Sequence, residues 1–365
     1  MKKFIYIFAI LGVNFISCTK DFEEINTNPN APVFVQPNLL LRQVIYDFGE
    51  NMSYEGFVAG DLLAQHRTAL DFNLFDRHDL KSPQLGGNPW PIFYTNLRDT
   101  EIILKQAKEN QAFAVYQGPA LILKAYMAAG LTDLFGDVPY FEAFNGIEGS
   151  VSPAYDLQSA IYQNENGILD NLDKAISAIN AYTGSIPLDG DILYNGNLNA
   201  WIQFANSLKI KYLIRISGKV NVSSELQTLF TDGNYIKNNA ENAIFDFTNT
   251  EPNSFRLAQL RIGDFNNFVL SETMEEILIN LNDARITTFF RPFSNSTSNK
   301  FNGLINGIDA SSTSIVLSDY SLAGNAFRED TSSLDANFMT AWETSFLLAE
   351  AAEKGLINAN AETLY

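Results

Sequence analysis

Cysteine is almost missing from this chain: Cys18 is the single one in 365 residues. No internal disulfide can form, and no cysteine-based metal site can be built. Histidine is nearly as scarce, with only His66 and His78. Neither lies in an H-E-x-x-H arrangement, and two alone cannot make the usual metal triads, so no metal is expected. Basic residues are outnumbered, 24 Lys and Arg against 42 Asp and Glu, for a formal charge of −18. Nucleic acid is therefore not an expected partner. Charged residues of both signs make up 18% of the chain and hydrophobic residues 46%, a balance that excludes disorder and leaves a core held by burial alone. The sequence also has no G-x-S-x-G elbow, no P-loop and no G-x-G-x-x-G after a strand. Asp189-Gly190-Asp191 superficially matches a calcium loop, but Leu193 and Tyr194 stand where an oxygen ligand and an invariant glycine are needed, so a turn is expected there. No cofactor is implied by any of these patterns.

The one apolar run at the N-terminus is short. Met1-Lys2-Lys3 is a basic start, Phe4 to Ile16 is apolar except for Gly12 and Asn14, and Ser17 is a small residue before the thiol. This layout is that of a secretory signal. About 13 residues are too few for a helix across a hydrocarbon core of about 30 Å, which needs about 20. A cysteine directly after a small residue at the cleavage point resembles the bacterial lipoprotein box. The resemblance implies a signal peptide over 1–17, lipidation of Cys18, a tether over 18–37 and a folded body that stays in water while acyl chains hold the membrane. A buried free thiol is the structural alternative. Asp21-Phe22-Glu23-Glu24 resembles the export signal that sends Bacteroidetes lipoproteins to the cell surface, against the plainer reading of a charged tether. Asn26, Asn28, Pro29, Asn30, Pro32 and Pro37 make residues 19–37 irregular.

From about Asn38 the pattern becomes helical. Between Phe113 and Phe135, Ala120, Leu123, Met127, Leu131 and Leu134 recur at spacings of three and four, with Ala125, Ala128, Ala129 and Gly130 on a narrow flank that a neighbour can approach closely. Ile168, Leu169, Leu172, Ile176 and Ile179 mark a second helix, with Asp170, Asp173 and Lys174 outside. Trp201, Phe204, Leu208, Tyr212 and Ile216 mark a third. Its Lys209, Lys211 and Arg215 form the main basic stripe, by default a solvated face, with acidic partners from a neighbour as the alternative. A fourth runs from Ala341 to Lys354, with Trp342, Phe346, Ala349 and Ala352 expected inward and Gly355 as its stop. Asn358 to Tyr365 reads as the start of a partner helix, so the last hairpin is expected to be incomplete. Asn249 to Gly324 is weakly patterned, with a helix over Glu272–Leu281 and small strands only around Ile315-Val316-Leu317. The fold class expected is all-α, built of helix pairs similar to tetratricopeptide-type repeats.

One motif names a family. Leu131-Thr132-Asp133-Leu134-Phe135-Gly136-Asp137-Val138-Pro139-Tyr140, followed by Glu142-Ala143, is locally a helix stop, with Gly136 free to take positive φ and Pro139 barring continuation. The same run resembles the "tDlfGdVPYfeA" signature of the SusD/RagB nutrient-binding outer-membrane lipoproteins of Bacteroidetes. Further landmarks follow in order: the stretch from Cys18 to Pro29, Tyr194 to Lys209 with Trp201, Arg215 to Ser217, Asp264-Phe265, Ser271-Glu272, Asn282 to Arg285, and Phe346 to Ala352 with Glu343 and Gly355. Asp-Ala-Arg stands where the family usually has Asp-Pro-Arg. Family members continue further, so the resemblance implies a missing C-terminal part. It also implies a loop-rich ligand-binding side, and a lid on a SusC-like TonB-dependent barrel that receives a captured oligosaccharide or oligopeptide at the outer membrane, facing outward.

Aromatic residues supply the candidate contacts, since 28 Phe, 15 Tyr and 3 Trp make 13% of the chain. Most are expected in the core, but rings are also good platforms for sugars and peptide side chains. The polar, glycine-rich run from Asp71 to Pro91 reads as a long functional loop carrying Phe72, Phe75 and Trp90. Phe255-Arg256 and Phe265-Asn266-Asn267 add rings beside polar groups, so Phe72, Phe75, Trp90, Phe255, Arg256 and Asn266 are the expected ligand contacts. Two other classes remain open. Buried loop rings would favour a scaffold that only binds the transporter, whereas rings lining an exposed pocket would favour ligand capture. A glycosidase built on paired carboxylates is the third, and the abundance of acids does not discriminate it.

Overall fold

Pro37 opens the first helix because its fixed φ and missing N–H cost nothing at a first turn. In the computed structural model this helix, α1, runs Pro37–Glu55 and buries Leu40, Leu41, Val44, Ile45 and Phe48 at helical spacing. The structure describes residues 34–71, 74–80, 85–146, 149–298, 300–309 and 314–365. The chain divides into two units, Met1–Gln36 and Pro37–Tyr365, and the second is the folded body. The signal peptide, Cys18 and the acidic tether cluster lie outside the described residues.

Helices of the body follow in pairs: α2 (Trp90–Glu109), α3 (Gln117–Phe135), α4 (Gln158–Gln163), α5 (Ile168–Ala181), α6 (Leu198–Ile216), α7 (Ser223–Asp232), α8 (Glu272–Asn280) and α9 (Ala341–Glu353). Neighbours pack in sequence, α1 on α2, α2 on α3, α3 on α5, α5 on α6 and α6 on α9, the stacking of helix pairs expected from the repeat-like pattern. The α3–α5 seam is tight, since a Cβ on Gly118 would stand 2.3 Å from Ile179 Cγ1. α3 is buried nearly all round, and each large aliphatic side chain taken from water contributes about 1.5–3 kcal/mol. The helix ends where Gly136 takes φ +75° and its carbonyl accepts from Thr132 Oγ1 at 2.6 Å. Tyr140 then folds back, its hydroxyl donating to Asn166 O at 3.1 Å and accepting from Asn171 Nδ2 at 3.0 Å.

The basic stripe of α6 is paired rather than solvated. Lys209 is buried and bridges Asp173 at 2.6 Å and Glu225 at 2.7 Å, Lys211 meets Glu343, and Arg215 meets Asp133. Ahead of α6, Asp191 closes the expected turn: its carboxylate accepts from the backbone N–H of Leu193, Tyr194 and Gly196 and from the indole of fully buried Trp201 at 2.9 Å.

Two expectations are corrected. In α9 the buried residues are Ala341, Thr344, Leu348 and Ala351, while Trp342 and Phe346 are half exposed. The helix is apolar on several faces, so periodicity alone cannot choose the inward one. No strand forms at Ile315–Leu317; Leu317–Asp319 is a short 3₁₀ turn. Among the described residues the strands are β1 (Arg67–Ala69), β2 (Ala243–Asp246), β3 (Phe268–Leu270) and β4 (Asp335–Met339). They form two antiparallel pairs, β1 with β3 and β2 with β4, and each pair joins segments far apart in sequence.

Candidate functional site

The second half of α1 organises the loop-rich side. Its residues Tyr54 and Glu55 face the chain that returns before α2: Tyr54 donates to Leu85 O at 3.0 Å, and Glu55 accepts from the Gly87 backbone N–H. Gly87 has φ +88°, and a Cβ there would fall 1.8 Å from Phe75 Cζ, so only glycine fits over that ring. Phe75 is accordingly buried beneath the turn and packs rather than presenting a face. Arg256 lies across Tyr54, its Cζ 4.3 Å from the ring centroid, and donates to Asn51 Oδ1 at 2.8 Å. Burial pushes the Glu55 carboxyl up, against the Gly87 hydrogen bond and the Arg256 charge, and burial likewise raises Glu50.

Trp90 begins α2 instead of ending a loop. Its ring meets Tyr94 at 4.8 Å and Phe135 edge-on at 4.9 Å, and Tyr94 reaches Phe144 at 6.2 Å. Tyr94 donates to Pro139 O at 2.7 Å. Burial, then the nearby Tyr155 and Asp156, push its hydroxyl well above the usual range. The signature run therefore does more than stop α3. It hangs Leu134 and Phe135 at the surface, 59% and 41% exposed, and Asp156, accepting from the N–H of Tyr140 and Phe141, seats Tyr155 and Leu157 beside them, both exposed. A partly exposed ring platform of Trp90, Tyr94 and Phe135 results, and Tyr94 and Phe135 are members that sequence reasoning missed. The available signal was that Phe135 lies past the last buried turn of α3.

The expected contacts thus separate. Phe75, Tyr54, Glu55 and Arg256 are joined through the Leu85–Gly87 turn, and Trp90 follows three residues later on the ring platform. Phe255 turns away from Arg256, is buried, and stacks on Phe247 at 5.1 Å. Asn266 closes a turn after Ile262–Phe265 and accepts from Arg291 Nη2 at 3.5 Å. Phe72 lies outside the described residues.

Three hollows accompany these surfaces. A groove of about 1340 Å³ runs along α2, α3 and α5 past Lys108, Lys124, Asn171, Lys174 and Tyr182, with Lys124 held by Glu101 at 2.5 Å and Lys174 by Asp170 at 2.7 Å. Two smaller hollows, about 310 and 220 Å³, adjoin at Ser53 and Asp335. Among the described residues no group of three or more His, Cys, Asp or Glu could hold a metal ion, and no helix is long and apolar enough to cross a membrane.

Residues 29–365 match a SusD-like family model described as "Starch-binding associating with outer membrane". No curated protein matches the chain. Among solved structures it is similar to a SusD homolog from Bacteroides fragilis, at 24% identity and TM-score 0.76 over 91% of this chain and 71% of that one. A SusD homolog from Bacteroides vulgatus aligns at 21% identity and TM-score 0.71, over 90% and 68%. A chitin-binding SusD homolog from Flavobacterium johnsoniae aligns at 22% identity and TM-score 0.68, also over 90% and 68%.

Proposed function

The chain belongs to the SusD-like family of outer-membrane nutrient-binding proteins, and from that premise we propose that it captures oligosaccharides on the Trp90 ring platform and hands them to a SusC-like TonB-dependent transporter. Cys18 carries the lipid that anchors it after removal of residues 1–17, and the body faces outward. It binds without turnover.

The observation that supports this reading is the partly exposed ring cluster of Trp90, Tyr94 and Phe135. Sugar rings present C–H faces that lie flat on aromatic planes, and rings with few rotatable bonds lose little entropy on binding. Arg256 and Asn51, beyond the Leu85–Gly87 turn, supply hydroxyl partners. Starch named in the family description and chitin named for a structural relative favour saccharides over oligopeptides as the ligand class.

The test is an array of neutral oligosaccharides and oligopeptides read with the soluble mature protein and its Trp90→Ala variant. A saccharide signal weakened about tenfold in the variant is the expected result, since one stacking ring contributes about 1 kcal/mol beyond its buried area. Silence across both classes would sink ligand capture and leave the transporter-scaffold role.

A further inference from the structure

Trp90 is the first residue of α2, so the direction of its ring follows the angle at which the chain enters that helix. The helix does not set this angle from within. Its N-cap, Pro89, makes no side-chain hydrogen bond, and neither Pro89 nor Pro91 has an N–H for a partner to hold. A first turn without a cap of its own takes its entry from contacts outside it.

Those contacts come from the end of α1. The Glu55 carboxylate accepts from the backbone N–H groups of Gly87 and Asn88, and only Pro89 separates Asn88 from Trp90. Beside it, Tyr54 holds Leu85 O. Past Glu55 the chain continues as a π-helical turn, Gly56–Gly60, whose buried Val58 lies against Gly86. The fit leaves no slack: a Cβ on Gly86 would stand 2.2 Å from Val58 Cγ2 and 3.2 Å from both carboxylate oxygens of Glu55. Gly87 is pressed against Phe75 in the same way. Hydrogen bonds to a carboxylate are about twice as strong as those between neutral groups, and the Arg256 guanidinium above Tyr54 favours the charged form. Glu55 is therefore the strongest hold on the two residues that lead into Pro89 and Trp90.

We propose that Glu55 is a positioning residue of the ring platform: by holding the Gly87 and Asn88 N–H groups, its carboxylate sets the angle at which Trp90 stands beside Tyr94 and Phe135. The inference rests on the reading of that platform as the saccharide site. Glu55 acts on capture through the turn and not by touching the sugar. An amide at this position keeps one acceptor oxygen and so keeps part of the hold, whereas alanine keeps none. A methyl group on Gly86 disturbs the same turn while leaving the carboxylate in place.

Fluorine NMR of the mature protein labelled with 5-fluorotryptophan tests this without any ligand. The three tryptophans, Trp90, Trp201 and Trp342, give three signals, and Trp90→Phe identifies the first. Glu55→Ala and Gly86→Ala should shift and broaden the Trp90 signal alone, and Glu55→Gln should leave it near its original place. Calorimetry with maltohexaose and chitohexaose then reads the consequence: whichever of them binds should bind about tenfold more weakly to the two alanine variants, and within about threefold of the original for Glu55→Gln. An unmoved Trp90 signal in Glu55→Ala overturns the proposal, as does a shift of all three signals together. So does a Glu55→Gln protein that loses affinity as fully as Glu55→Ala with its Trp90 signal in place, since Glu55 would then be a ligand contact. If neither saccharide binds the original protein, the capture reading falls, while a Trp90 signal displaced in Glu55→Ala and kept in Glu55→Gln still upholds the role of Glu55.

Discussion

Asp191 on the helical side and Asp76 on the loop-rich side are both buried carboxylates, and both are satisfied by hydrogen-bond donors, but the donors come from very different distances along the chain. Those of Asp191 lie 2, 3, 5 and 10 residues away. Asp76 takes Thr68 from 8 residues away and Asn306 and Gly307 from 230 and 231. The contrast extends to the whole of each side. Helices α2 to α6 meet close sequence neighbours through apolar stripes. The loop-rich side is assembled from distant segments by β1–β3 pairing, the Asp76 network and Arg67, whose guanidinium packs near Phe57, Phe290 and Phe327. Closing long loops costs chain entropy, so that side depends on a few buried polar anchors where the other depends on many interchangeable apolar contacts.

Removing an anchor on each side sharpens the comparison. Arg67→Ala should destabilise the protein by about 4 kcal/mol, because it breaks a buried ion pair and empties the space between three rings. Hydrogen exchange should show the loss first in Arg67–Ala69 and Phe268–Leu270, and uniform loss across the helices would break the distinction drawn here. Asp191→Ala should cost somewhat less, about 3 kcal/mol in denaturant unfolding, by orphaning the Trp201 indole and three backbone donors; loss below about 1 kcal/mol would contradict its anchoring role.

A smaller effect is expected with pH. Burial works against the Asp61 charge, but hydrogen bonds from His66 and Arg67 and the guanidinium charge prevail and hold its pKa below the usual carboxylate range. The stability it contributes is therefore present above its unfolded pKa and lost as pH falls through the depressed folded value. His66 is raised by its hydrogen bond to Asp61, so its contribution is present below the unfolded imidazole pKa and disappears as pH rises through the folded one. Because His66 is half exposed, solvent screening keeps this step under about 1 kcal/mol. Melting temperature against pH should lose the near-neutral step in His66→Ala, and an unchanged profile would argue against the pairing. The smallest effect belongs to Lys211→Ala on the helical side, within about 0.5 kcal/mol in denaturant unfolding, since its bridge to Glu343 is about one third exposed at each partner.

Much of the helical side was legible because its information is local. The stripes through Leu123 and Met127, through Leu172 and Ile179, and through Trp201 and Phe204 each repeat at the helical period and each became a buried face. The signature from Leu131 to Tyr140 was legible twice over, as a helix stop and as a family landmark. The site was read less well. Phe75 and Phe255 carried the right chemistry for a platform yet were buried by Gly87 and Phe247, and Phe135, read as the end of a helix, is exposed. Burial of an individual ring depends on what lands on it from elsewhere, and no period in the sequence reports that.

The sequence by itself determined the all-α class, the place of most long helices but not of α2, and the family, because backbone hydrogen bonding within a helix and the 3.6-residue period require only neighbours along the chain. Only the tertiary structure decided which face of α9 turns inward, which acids of other elements would neutralise Lys209 and Arg215, that Asp246 and Asp335 would stand opposite each other, and that Trp90, Tyr94 and Phe135 would share one surface. Each of these joins residues tens or hundreds of positions apart, and such meetings are set by how packed elements exclude one another from space, a property of the folded whole.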